Sequence, residues 1–369
     1  MENIIDYTKN ELHTFNEKEF NAVDSLILSQ ASYIILDELV GDINSNSKSL
    51  KFKDLLRAEL FHKMFDTIPY GKFTNELLFH LAASPRFRDI QINYHISKID
   101  ENSEKQFSAT TFILDNTTAY IAFRGTDYSV VGWKEDFNLS CINVVPSHTE
   151  GVKYINSIAK LIPHNFYVGG HSKGGNIAIY ASMHCDYNIS SRIKRIFSHD
   201  SPGFRKEIIE SNYFTKIENK IEKTLPSSSL IGLLLENNDN YHVVKSDKVG
   251  GLRQHNPFSW EIKDFNFNYV KKISNTAKCT NITLNKCLNE LDDEKRKQFI
   301  NSIFDIFNAT KSDNFIEISK NWRKNIPVFL DSIKHMDSET KSMFIELIKE
   351  FSGLYIKNLT HNHKNTNKF

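Results

Sequence analysis

"FYVGGHSKGGNIAIYAS", Phe166 to Ser182, decides how this chain is read. An apolar run meets glycines clustered around one serine, and a segment of helical character follows at once. Gly170-His171-Ser172-Lys173-Gly174 fits the G-x-S-x-G nucleophile elbow, in which a serine sits on a strand-to-helix turn too tight for side chains two residues before and after it. Such a turn exposes the serine oxygen above a sheet. It also sets the next N–H, that of Lys173, at a helix N-terminus, where it can bind a developing negative charge. Gly169, Gly175, Ala178 and Ala181 extend the close packing that this geometry needs.

Around the elbow, strand and helix patterns alternate. Before it come "FSATTFIL" and "TTAYIAF", a strand pair around Asp115-Asn116, and a helical stripe of Val152, Ile155, Ile158, Ala159 and Ile162. After it, "KRIFSHD", "KIEKTLP" and "YHVVKS" read as strands, with a helix near "RKEIIES". Ile90, Ile92, Tyr94 and Ile96 alternate with polar residues as a half-buried strand does. The pattern predicts an α/β fold with a mostly parallel sheet ending near Trp260. Helices are expected on both flanks. Val23, Leu26, Ile27, Ala31 and Ile34 mark one buried face near the N-terminus, and "LKFKDLLRAELFHKMF" reads as a second helical region. Beyond about residue 270 the pattern is helical, with stripes at Phe299, Ile303, Phe304 and Phe307 and at Met343, Leu347, Ile348 and Phe351, before a frayed tail "LTHNHKNTNKF". The division expected is 1–85 as a helical segment packed on the core, 86–265 as the core, and 266–369 as a helical extension.

Composition narrows the function classes. The 369 residues carry 46 basic and 45 acidic side chains, a formal charge of +1, so no net field draws nucleic acid or an anionic membrane. Four widely spaced cysteines (Cys141, Cys185, Cys279 and Cys287) suit neither a metal knuckle nor a disulfide framework, and free thiols are expected. No ligand cluster suggests a metal or organic cofactor. "MENIIDYTKNELHTF" lacks the apolar core of a signal peptide, and the longest apolar runs, such as "LIGLLL", fall far short of a membrane span. A cytoplasmic protein is expected.

A second oxyanion donor should come from the loop after an earlier strand. "AYIAFRGTD" supplies Arg124-Gly125-Thr126, bringing the Thr126 N–H toward the serine, with its hydroxyl as a further donor. "IAFRGTDYSVVGWKEDF" and "GHSKGG" together resemble the class 3 lipases of the α/β-hydrolase fold, marked by an F-R-G-[ST] loop followed by a tryptophan and an acid, and by G-H-S-x-G-G. More closely, the chain resembles an uncharacterised bacterial family related to those lipases. "VDSLILSQASY", "HDSPGF", "SSLIGLLLE" and "QHNPFSW" carry that likeness, which spans about residues 20 to 260.

In hydrolases of this type the order is Ser, acid, His. His255, in the loop after the last expected strand, is the base; His242, His171 and His199 read as structural alternatives. The resemblance places the acid in a D-x-V-P context, but the matching segment, "TLPSSSLIG", holds serines. Asp200, ending the preceding strand in "FSHDSPGF", is the candidate acid, with Asp247 and Asp239 behind it. The resemblance thus implies a serine hydrolase of carboxylic esters: Ser172 nucleophile, His255 base, Asp200 acid, Thr126 and Lys173 as oxyanion donors. Substrates would be small-molecule or lipid esters, reached through transient membrane-surface contact where they are lipids. The serines at the acid position leave an alternative open, a non-catalytic hydrolase-fold protein that binds a protein partner through its helical tail. "SSSLIGLLLE" reads equally as an acyl pocket or as core.

Overall fold

The computed structural model describes residues 1–43, 49–237, 240–290 and 292–309, with three isolated positions beyond. The second C-terminal stripe, the tail and most of the expected helical extension lie outside the described residues.

Among the described residues eleven strands are formed: β1 (Leu50–Lys51), β2 (Gln91–Asp100), β3 (Lys105–Ile113), β4 (Thr118–Phe123), β5 (Asn165–His171), β6 (Ile193–His199), β7 (Ile221–Pro226), β8 (Tyr241–Val244), β9 (Ile262–Lys263), β10 (Asn266–Phe267) and β11 (Tyr269–Val270). Nine join one sheet in the order β1-β2-β3-β4-β5-β6-β7-β8-β11, while β9 and β10 form a small ribbon. The five central strands β4 to β8 run parallel; β1 to β4 pair antiparallel, as do β8 and β11. The sheet is therefore mixed, with its parallel part at the centre, and it extends past Trp260 to β11. With helices on both faces and the elbow serine at the carboxyl end of a central parallel strand, this is an α/β-hydrolase fold.

Two apolar layers sandwich the sheet. One face carries the helix Lys173–His184 and the helix Pro146–Leu161, packed through Ile177, Ala181, Ile155 and Ile158. The other carries the N-terminal helices Ile4–Asn10 and Ala22–Ala31 with the helix Gly71–Ala83. The helix Ala22–Ala31 is buried on every side rather than along one stripe. Most of its polar groups find partners inside the protein: Ser25 and Ser29 hydrogen-bond the Tyr120 hydroxyl, and Asp24 pairs with Arg86 at 2.5 Å.

Three local expectations differ from the structure. "LKFKDLLRAELFHKMF" breaks into β1, two 3-10 turns (Phe52–Leu55, Ala58–Leu60) and a five-residue helix, Phe61–Phe65. The long helix of this region is Gly71–Ala83, which the sequence reading missed. In β2 the alternation fails at a bulge: Tyr94 takes φ 55°, the register shifts between Asn93 and Ile96, and His95 turns inward. Among the described residues no helix is long and apolar enough to cross a membrane.

Candidate active site

Ser172 stands between β5 and the helix Lys173–His184 with φ 59° and ψ −136°, a backbone conformation that side-chain-bearing residues rarely adopt. Its N–H is held by the His199 carbonyl at 3.0 Å. The flanking glycines are sterically required. A Cβ on Gly170 would lie 2.3 Å from the Gly174 carbonyl carbon, and one on Gly174 would lie 2.0 Å from the Phe123 carbonyl oxygen. The neighbouring N–H of Lys173 opens the helix, where the first N–H groups have no intrahelical acceptor.

His255 caps the short helix Gly251–Gln254 in the loop after β8. Its Nδ1 donates to Asp200 Oδ2 at 2.6 Å, and the Asp200 side chain is wholly buried. The second oxygen of that carboxylate accepts from the Ser229 hydroxyl and from the Gly232 N–H at 3.2 Å, so a buried charge is met by three donors. Ser229 belongs to the segment where an acid was sought and serines were found. The loop bearing His255 is fixed from both ends. Gln254 Oε1 accepts from the Ser228 N–H at 2.7 Å, and the Gln254 carbonyl accepts from the Trp260 indole at 2.8 Å.

His171, next to Ser172, donates from Nε2 to the His255 carbonyl at 2.9 Å, and the two rings lie 4.5 Å apart. This contact brings the loop beside the elbow. Among the described residues no hydrogen bond joins Ser172 Oγ to His255, and Nε2 of His255 is without a partner; such contacts commonly close only around a substrate. His199 faces the N-terminal helix, bonded to Ser25 Oγ at 2.9 Å and pushed down to about 3 by burial. His242 is exposed, against Tyr269. Asp247 is also exposed and contacts Lys248 rather than a histidine; Asp239 lies outside the described residues.

Thr126 follows β4 in the Arg124-Gly125-Thr126 loop. Its hydroxyl donates to Asp136 Oδ2 at 2.5 Å, so that hydrogen is spent on a carboxylate and the backbone N–H remains as the available donor. Asp136 lies on the helix Val130–Asn138, which Ser129 caps through the Gly132 N–H. Burial pushes the Asp136 carboxyl up to about 6, against the pull of the Lys173 charge and the Thr126 hydrogen bond.

Beneath the elbow lies a feature that sequence reasoning did not find. The Lys173 side chain is fully buried, and its Nζ donates to Glu135 Oε2 at 2.8 Å and to both the carbonyl and Oε1 of Gln106 at 2.9 Å. Glu135, equally buried, also accepts from the Gln106 N–H, the Ser147 N–H and the Ser147 hydroxyl. Burial alone would raise the Glu135 carboxyl, but the Lys173 charge and these bonds outweigh it and hold it below its ordinary range. The available signals were a lysine directly after the elbow serine and two adjacent acids after Trp133.

Comparisons with known proteins were made against families, curated proteins and solved structures. The search of curated proteins finds no match. Among solved structures, M37 lipase is 12% identical with a TM-score of 0.35, over 58% of this chain and 70% of that one. A propeptide complex of Rhizomucor miehei lipase is 14% identical with a TM-score of 0.34, over 60% and 80%. A mutant form of MDLA from Penicillium cyclopium is 14% identical with a TM-score of 0.37, over 66% and 83%. Identities this low say nothing of what the present chain acts on. The family comparison reaches further, because a model described as Mbeg1-like matches residues 81–305. That span is more than half of the sequence and contains the FRGT loop, the elbow serine, Asp200 and His255, so the chain belongs to the Mbeg1-like family.

Proposed function

We propose that the protein is a serine hydrolase that cleaves carboxylic esters, lipid esters among them, through an acyl-enzyme on Ser172. The observation that carries this reading is the 2.6 Å contact from buried Asp200 to His255, beside a serine held at φ 59°. A buried carboxylate on Nδ1 fixes the tautomer that presents Nε2 as a base. A strained nucleophile turn is costly to keep without a use for the exposed oxygen.

In the reaction, Ser172 Oγ attacks the ester carbonyl carbon while His255 Nε2 takes the hydroxyl proton. The carbonyl oxygen becomes an oxyanion that accepts from the N–H groups of Thr126 and Lys173. Collapse breaks the bond to the alcohol oxygen, which leaves with the proton from His255. Water then attacks the acyl group by the same route, His255 again taking and returning the proton, and a carboxylic acid departs. Asp200 stays ionised throughout, supported by Ser229 and Gly232. In the same reading residues 86–265 are the catalytic core, residues 1–85 a helical segment packed on it, and residues 266–369 an extension of the chain beyond it.

A fluorophosphonate probe tests this directly. The native chain is expected to label, and Ser172→Ala and His255→Ala to take no label while keeping the native circular dichroism. A folded native chain that resists labelling removes the reading.

A further inference from the structure

We propose that Tyr33 is a further substrate-binding residue of this site, its hydroxyl donating a hydrogen bond to an oxygen of the ester held at Ser172. The proposal rests on the esterase reading above.

Tyr33 comes just after the helix Ala22–Ala31, where the chain leaves the helix in consecutive tight turns: Ser32 N–H to the Leu28 carbonyl, Tyr33 N–H to that of Gln30, Ile34 N–H to that of Ala31. These turns carry the ring to the FRGT loop. A Cβ on Gly125 would lie 2.2 Å from the Tyr33 hydroxyl, 2.6 Å from the His171 carbonyl oxygen and 3.1 Å from Ser172 Cβ. The phenol, the loop backbone and the nucleophile therefore meet at one point, and only a glycine at 125 leaves room for all three. The ring itself is 3% exposed.

The hydroxyl is unlike those of comparable residues. Tyr7 bonds Asp24 at 3.1 Å, Tyr120 bonds Ser29 at 2.7 Å, and Tyr154 donates to the Tyr94 carbonyl at 2.8 Å. Among the described residues nothing hydrogen-bonds the Tyr33 hydroxyl. The oxygen is not among the wholly enclosed polar atoms left without a partner, so solvent reaches it, and phenylalanine would fill the same space without losing a hydrogen bond within the protein. Folding thus gives no reason for the oxygen, whereas a substrate at Ser172 does. Arg124, Tyr70, Asp136 and Asp127 are its electrostatic neighbours, and burial raises the phenol far above its ordinary range, so it carries its proton and acts as a donor.

The decisive variant is Tyr33→Phe, compared with native protein and with Tyr120→Phe. Each is assayed for p-nitrophenyl butyrate hydrolysis, for the rate of fluorophosphonate labelling, and for its thermal midpoint. Loss of one preorganised donor from an oxyanion site commonly costs about 10²- to 10³-fold in rate, and a peripheral donor is expected to cost at least about tenfold. Tyr33→Phe should therefore lose at least tenfold in kcat/KM with an unchanged or higher midpoint. Tyr120→Phe, which strips partners from Ser25 and Ser29, should lose stability and keep its rate. Loss of rate without loss of stability identifies the Tyr33 hydroxyl as a substrate contact. Native rates in Tyr33→Phe overturn the proposal and leave the esterase reading standing. Parallel loss of stability and rate also overturns it, by making the hydroxyl structural. A native protein that neither labels nor hydrolyses removes both readings together.

Discussion

Ser229 shows how a residue that looks like a loss at a site can be part of it. A serine cannot replace a carboxylate as the orienting partner of a histidine, but it can donate to one. With Asp200 directly after β6, Ser229 on the loop after β7 completes the shell of that buried charge. The two positions should respond differently to substitution. Asp200→Asn keeps the shape but removes the charge that fixes the His255 tautomer, and a rate loss of about 10⁴-fold is expected with the fold intact. Ser229→Ala leaves Asp200 Oδ1 with the Gly232 N–H alone. It should destabilise by about 1.5–3 kcal/mol, the range for a hydrogen bond to a charged group, with a much smaller loss of rate. Urea unfolding and ester turnover on the same preparations separate them. Equal rate losses from the two variants would count against Asp200 as the orienting acid.

At the scale of elements, what the sequence made legible was whatever rested on local periodicity. The central strands β3 to β8 read correctly because each is a short apolar or alternating run closed by turn residues. The stretch 50–83 did not, and the reason is physical. Tyr70, the residue before the long helix there, has φ 57° and offers no side-chain cap, so the helix start carries no sequence signal. The bulge in β2 was equally silent. At the candidate site, Ser172, Asp200 and His255 could be proposed from the sequence because elbow chemistry and chain order constrain the choice, and the structure puts the last two in contact. The Lys173–Glu135 pair was not, because a buried ion pair is visible only once two elements meet. That pair ties the elbow helix to the helix Val130–Asn138, whose next residue, Asp136, holds Thr126. Removing one member should be expensive: Lys173→Met leaves Glu135 charged and buried, and about 3–5 kcal/mol of stability should be lost. Adding Glu135→Gln removes the stranded charge while keeping an acceptor for Gln106 and Ser147. The double variant should recover more than half of the loss in urea unfolding. A double variant no more stable than Lys173→Met would mean that the pair is not a coupled clamp.

Over the whole molecule, buried imidazoles set the response to acid. His148, His171 and His199 are each almost fully enclosed, and burial lowers them from an ordinary 6.5, His148 to about 4, His199 to about 3, and His171 well below its usual range. The folded state keeps them neutral where the unfolded chain protonates them. Between pH 6.5 and about 4 the unfolded chain therefore binds more protons, and stability falls as pH falls. Asp136 acts in the opposite sense: raised from 3.8 to about 6, it holds its proton in the folded state and gains for the fold as pH drops through 6. Burial raises Asp24 and Glu222 in the same sense as Asp136, while Glu135 and Asp89, held below their ordinary range, act with the three imidazoles, each of which contributes about 1.4 kcal/mol per pH unit below 6.5. Lys223 extends the slope to the alkaline side. Burial lowers it from 10.5 to about 7, so the unfolded chain again holds the extra proton, and stability rises from pH 7 toward 10. The expected profile climbs from pH 5 to pH 9 instead of peaking near neutrality. Urea midpoints across that range check it, with the interval from pH 6.5 to 5 the most telling because ordinary carboxylates hardly titrate there. His199→Gln should flatten that interval by about one proton's worth of slope. A native profile already flat between pH 6.5 and 5 would mean that these histidines titrate in the folded state, against their enclosure.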